Sequence, residues 1–199
     1  MNRDDDDFTE ISLGAKHPKP KSLASLYEYY ISGAITGPED YTEVFDQIRN
    51  ARPDDEIRIH INSYGGDLYS AIQFMRVFNE TQATVVASIE GACFSAATLL
   101  FLSAHVFEIS PHSSFMIHTY SGGTYGKGSD MHAQLIYEKK WADKLFRSVY
   151  EHFLTEKEIT EVLDGKDFWV DVDDVVKRME VRGKLLKELA ELEDATKPD

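Results

Sequence analysis

A serine, a histidine and an aspartate each stand at a break between apolar segments, and each carries a group used in acyl transfer. Ser95 lies in Glu90-Gly91-Ala92-Cys93-Phe94-Ser95-Ala96-Ala97, where a strand pattern gives way to a helical one. A hydroxyl at a helix start meets unpaired N–H groups and the positive end of the helix dipole, which stabilise negative charge. Ala96 would supply one such N–H. The same position equally suits an ordinary helix N-cap. His118 closes the apolar run Met116-Ile117-His118. An imidazole there is either a hydrogen-bonded structural group or a base that reaches both a hydroxyl and a carboxylate. Asp167 sits between Lys166 and Phe168-Trp169, as an exposed loop acid or as a recruited one. Tyr64-Gly65-Gly66 ends another strand pattern; paired glycines are a plain turn, or allow the close approach that aims an N–H at an oxyanion. Cys93 is a rival nucleophile, although a lone thiol among Ala, Phe and Gly reads as a small buried hydrophobe. No His-Glu-x-x-His, no cysteine pair and no phosphate loop of the Gly-x-x-x-x-Gly-Lys-Ser/Thr kind occurs, so the sequence points to no metal or nucleotide site.

These residues need a scaffold that brings distant breaks together, and the hydrophobic periodicity supplies one. Tyr29–Ile35 reads as a strand, and Gly37-Pro38 opens a helix with Tyr41, Val44, Phe45 and Ile48 on one face. Ile57, Ile59 and Ile61 alternate, a helix follows over Asp67–Asn79, and Thr84–Ile89 is a β-branched strand. Ser95–Ala104 reads as an apolar helix, with short strands at Val106–Ile109 and Phe115–Ile117. Such alternation predicts right-handed βαβ units in a mainly parallel sheet, whose strand carboxyl ends gather the three breaks at one edge. A long helix over Asp130–Phe153 carries Leu135, Ala142, Leu145, Val149 and Phe153, widened by Trp141 and Phe146; so broad a stripe calls for a partner. Thr155 and Glu158 form a capping box for a short helix that Gly165 stops, and Asp167–Val170 is extended.

Composition bounds the rest. The 199 residues hold 21 Lys+Arg against 35 Asp+Glu, a net charge of −14, which argues against a nucleic-acid surface. One cysteine cannot form an internal disulfide, and the start shows no secretory pattern, so the expected setting is cytoplasmic. Gly91–Phe107, the longest stretch without Asp, Glu, Lys or Arg, falls short of a membrane span. Three regions are expected: an acidic arm over residues 1–21 with Asp4–Asp7, a globular domain over 22–183, and a leucine-bearing helix with a polar tail over 184–199.

Taken in order, the motifs are more specific than any one of them. Asn62-Ser63-x-Gly65-Gly66, Gly91-Ala92-x-x-Ser95-Ala96-Ala97, Met116-Ile117-His118 and Gly122-Gly123-x-x-Gly126-x-x-x-Asp130 together resemble the proteolytic subunit of the Clp protease family. The separations, 29 residues from Gly66 to Ser95 and 23 from Ser95 to His118, are close to those of that family. The resemblance runs from about Tyr29 to Val176. It implies an α/β fold of the Clp/crotonase kind, with repeated ββα units and a projecting handle helix over 130–153. It further implies a Ser95–His118–Asp167 triad and an oxyanion hole from the backbone of Gly66 and Ala96. Gly65, Gly122, Gly123, Thr124, Tyr125 and Gly126 would bind peptide, the last five by adding a strand to it. No cofactor is expected, nor any membrane contact. The expected partners are further copies of the chain in stacked rings, seven-fold by the resemblance, and a Clp-type ATPase unfoldase that feeds peptide substrates. Tyr64 replaces the family's proline, Thr119-Tyr120 its Gln-Pro, Ala97 a glycine, and Cys93-Phe94 smaller residues, which implies a reshaped specificity pocket. The alternatives are a protease of the same fold that works without an ATPase, for example in capsid maturation, a catalytically silent ring scaffold, and a crotonase-like acyl-CoA enzyme.

Overall fold

The computed structural model describes residues 23–195. The acidic arm over 1–21 and the last four residues of the expected C-terminal tail lie outside the described residues.

Three long strands, β1 (Leu26–Ile35), β2 (Glu56–Gly66) and β3 (Thr84–Phe94), run parallel in that order. Alternation sets their faces: Ile57, Ile59 and Ile61 are wholly buried, whereas Arg58 and His60 point to the other side. On that other side Arg58 bonds Glu56 and Glu108 at 2.9 and 2.6 Å, and His60 lies between Glu28 and Glu90 at 3.2 and 2.5 Å. The free edge of β3 is divided. Its first half pairs with β4 (Val106–Ile109), and its last three residues pair with β5 (Ser114–Ile117), both parallel. The short β6 (Phe168–Val170) then adds antiparallel to β5. The architecture is the Clp/crotonase-like α/β fold expected from the sequence.

Helices α1 (Thr42–Asn50), α2 (Leu68–Glu80) and α3 (Ala96–Ser103) cover the isoleucine face. Asp67 caps α2, its Oδ1 accepting the Ser70 N–H at 2.7 Å. Ala96 to Leu102 of α3 are all buried, as an all-apolar helix requires. Strands β2 and β3 extend past their apolar runs through Gly66 and Phe94, because ladder pairing continues across the polar and glycine residues.

Helix α4 runs from Gly128 to Tyr150, ending three residues before the expected Phe153. His152 turns to φ 64°, and the Phe153 and Leu154 N–H groups both bond back to the Tyr150 carbonyl, wrapping the chain off the helix. The stripe on α4 divides. Ala142, Phe146, Val149 and Tyr150 are buried in the core, whereas Leu135, Ile136 and Tyr137 are 50, 57 and 69 % exposed. Val149 and its neighbours therefore find their partner inside the subunit, and only the first half of α4 presents an open apolar surface.

Helix α5 (Glu156–Leu163) has the expected reciprocal capping box between Thr155 and Glu158. Helix α6 (Val172–Ala195) runs unbroken through the 183/184 boundary drawn from the sequence. A helix-interior glycine costs about 1 kcal/mol, and the Lys, Leu and Glu residues around Gly183 are good enough helix formers to carry it. Arg178 on α6 binds both Glu158 oxygens, at 3.0 and 2.8 Å, and the Phe153 carbonyl at 2.9 Å. Its guanidinium also lies over the Phe153 and Phe168 rings, which ties α5, α6 and β6 together. Among the described residues no helix is long and apolar enough to cross a membrane.

Candidate active site

The three strand ends converge as a parallel sheet demands. Ser95 occupies the N-cap position of α3 with φ 55° and ψ −128°, a left-handed backbone rare for a residue bearing Cβ. Its hydroxyl makes no capping bond. It meets His118 Nε2 instead, at 2.7 Å. The Ser95 N–H donates to the Met116 carbonyl at 2.9 Å, so β5 fixes the serine and the histidine relative to each other. The Ser95 carbonyl accepts from the Thr98 N–H and from Thr98 Oγ1 at 3.0 and 2.7 Å. Thr98 has given its one hydroxyl proton there, so the buried Tyr150 hydroxyl, 2.6 Å away, must be the donor to Thr98. Burial pushes the Tyr150 phenol up, which keeps that proton in place.

Two glycines make room for this turn. Gly65, at φ 88°, packs directly on the serine: a Cβ there would lie 2.6 Å from Ser95 Cβ and 3.0 Å from the Ala96 nitrogen. A Cβ on Gly66 would lie 2.2 Å from the Ile35 carbonyl oxygen. Asn62 and Ser63 hold the turn. Asn62 Oδ1 accepts the Ala92 N–H at 3.0 Å, and Ser63 Oγ accepts the Gly65 N–H at 3.1 Å while donating to the Gly33 carbonyl at 2.6 Å. The Ala96 N–H opens α3, where first-turn donors have no intrahelical acceptor.

Asp167 stands behind the imidazole, its Oδ1 4.0 Å from His118 Nδ1. That is ion-pair distance, longer than a hydrogen bond. Asp167 is mostly exposed, and His118 is about one-third exposed. Cys93, the rival nucleophile, is wholly buried. Burial also pushes its thiol up, away from the reactive thiolate.

Ser95 and His118 open onto a cavity of about 270 Å³. Gly66, Ala96, Gly122 and Gly123 line it, whereas Gly65 lies behind Ser95 and Thr124, Tyr125 and Gly126 lie outside the lining. Tyr125 is fully exposed. Leu99, Phe146 and Tyr150 are among its apolar lining residues, and Tyr69 and Trp141 stack with centroids 5.7 Å apart. Sequence reasoning placed Trp141 and Phe146 on the α4 stripe without assigning them to a pocket, and left out Tyr69, Leu99, Glu138 and Tyr150. The signal available was the four-residue spacing of Glu138, Ala142, Phe146 and Tyr150 along α4. Chemically, the site offers a hydroxyl hydrogen-bonded to an imidazole, a helix-start N–H beside it, and an open recess lined by both aromatic and polar side chains.

The Clp protease family model matches residues 38–178. The chain is 27% identical over 120 residues to an ATP-dependent Clp protease proteolytic subunit of Bacteroides thetaiotaomicron, a match that spans 59% of this chain and only 54% of that relative's length. It is 27% identical over 183 residues to ATP-dependent Clp protease proteolytic subunit 3 of Rhizobium meliloti, covering 87% of this chain and 91% of the relative. A mutant of ClpP1 from Listeria monocytogenes superposes with a TM-score of 0.62 at 22% identity, over 76% of this chain and 86% of that one. At that identity the superposition speaks for the fold.

Proposed function

Because the chain belongs to the Clp protease family, we propose that it is a serine endopeptidase. The observation that carries the reading is the 2.7 Å contact between Ser95 Oγ and His118 Nε2 at the mouth of a side-chain-sized cavity. Ser95 Oγ attacks the scissile carbonyl carbon while His118 Nε2 takes its proton. The backbone N–H groups of Gly66 and Ala96 hold the resulting oxyanion. His118 then gives the proton to the departing amine, leaving an acyl group on Ser95. Water, deprotonated by the same imidazole, releases the acid and restores the serine. Asp167 orients His118, and its 4.0 Å separation closes to a hydrogen bond as the imidazolium charge develops.

Peptide would lie along residues 122–126, where an added Cβ at Gly122, Gly123 or Gly126 would meet nothing within 4 Å and the backbone is open to a strand. Family membership also supports a homo-oligomer of stacked rings, joined through the open apolar half of α4. The relatives' designation as ATP-dependent supports an ATPase partner that delivers unfolded chains.

Replacing Ser95 by alanine and measuring cleavage of a short fluorogenic peptide tests the reading. Activity is expected to fall by about 10⁴–10⁶-fold. Residual activity within tenfold of the parent overturns it. Cys93→Ala is expected to keep its activity, and loss there would transfer the nucleophile to the thiol.

A further inference from the structure

The cavity beside Ser95 sets acidic groups among aromatic side chains. Two acids line it, Asp67 and Glu138, and no lysine or arginine does. Asp67 is already engaged as the cap of α2 through the Ser70 N–H. Glu138 is different. It is half-buried on α4 between the exposed Tyr137 and Lys139, and its Oε1 accepts a hydrogen bond from Gln134 Nε2 at 2.6 Å. The Gln134 oxygen in turn accepts from Thr124 Oγ1 at 2.5 Å, so the glycine-rich segment and α4 together hold the carboxylate at the cavity. Among the described residues no basic group pairs with it. Lys139 and Lys140 follow it in sequence, where adjacent helix positions face different ways.

A carboxylate in an aromatic-walled recess is costly to cover with an apolar side chain, which strips its water and returns no bond. A cation with an apolar stem does the opposite. The methylenes of lysine or arginine pack on rings while the head keeps its polar partner, and the ring faces themselves attract the positive charge. Tyr69 and Trp141 are the rings, and Trp141 follows Glu138 by three residues on the same side of α4. We propose that this cavity selects a lysine or arginine as the residue whose carbonyl Ser95 attacks, with Glu138 binding the charged head and Tyr69 and Trp141 holding the stem. The inference rests on the serine-peptidase reading above and assigns its substrate class.

Two fluorogenic peptides that differ only in lysine or leucine before the cut bond separate the possibilities. The full chain, assembled as purified, is assayed with both, and the result is the ratio of their kcat/KM values. The parent is expected to favour lysine by about tenfold or more, the scale of one charge-assisted hydrogen bond. Glu138→Gln keeps the shape and removes the charge, and is expected to lower the lysine-to-leucine ratio about tenfold. Glu138→Lys is expected to invert it, and thermal melting of both variants monitors the fold. Ser95-dependent cleavage that favours leucine in the parent, or a ratio that Glu138→Gln leaves unmoved, overturns the proposal and leaves the peptidase reading standing. Absence of Ser95-dependent cleavage of either peptide overturns both.

Discussion

Gly65→Ala is a sharp probe of the turn that carries Ser95, because its effect on the site and its effect on the fold can be separated. The added methyl has two costs. At φ 88° an alanine is less favourable than glycine by roughly 1–2 kcal/mol. Its Cβ would also stand 2.6 Å from Ser95 Cβ and 2.8 Å from the Phe94 carbonyl oxygen, an overlap of the kind that costs roughly 1–3 kcal/mol when neighbours must yield. The neighbours that must yield are the serine itself and, at 3.0 Å, the Ala96 nitrogen. Relief therefore displaces the proposed nucleophile and an oxyanion donor together. Losing one such donor costs about 10²–10³ in kcat, and a misplacement of about 1 Å alone costs about 10². Peptide hydrolysis is thus expected to fall by about 10²–10³-fold in a variant that still melts cooperatively. Gly66→Ala is the control: its Cβ would strike the Ile35 backbone oxygen at 2.2 Å, which parts β1 from β2 and lowers the melting temperature more. A Gly65→Ala variant with kcat within threefold of the parent would refute the packing argument, as would a Gly66→Ala variant that melts with the parent.

Two further outcomes follow from the packing. The Arg178 guanidinium holds the Glu158 carboxyl down at about 2, from its ordinary 4.5, so the pair is fully stabilising above pH 4.5 and fades as pH falls towards 2. Glu158→Gln should cost about 1–2 kcal/mol at pH 7, after allowance for solvent screening, in urea titrations. That deficit should shrink between pH 4.5 and pH 2.5; a constant deficit across this range would show that the charge is not the source. Ile136→Glu places a charge on the open half of α4 and should lower particle mass by mass photometry without loss of helicity, whereas Val149→Glu, in the core, should unfold the subunit. Unchanged particle mass with Ile136→Glu would refute the proposed role of this half of α4 in a ring contact.

Much of this was legible in the residue order, for identifiable reasons. Ile57, Ile59 and Ile61 announce a half-buried strand, and Thr155 with Glu158 announces a helix start, because each signal acts within a few residues. The convergence of Gly66, Ser95 and His118 was legible because a parallel sheet leaves little freedom about where its strand ends meet. What stayed hidden depends on contacts distant in sequence. The α4 stripe reads as continuous, and only the packing of α3 beneath Val149 and Tyr150 reveals that half of it is core. Glu138 reads as one of 35 acids until the fold sets it in the same cavity as Ser95. Asn62 was visible in its motif, but its bond to the Ala92 N–H is not, since it crosses 30 residues.

The backbone at Ser95 sets stability against use at a single position. A side chain at φ 55° and ψ −128° strains the chain by roughly 1–3 kcal/mol, which glycine would relieve at once. Ser95→Gly would therefore gain stability by a single substitution. On the proposed function the same substitution removes the nucleophile, so the strain at position 95 and the cleavage of peptide would be lost together.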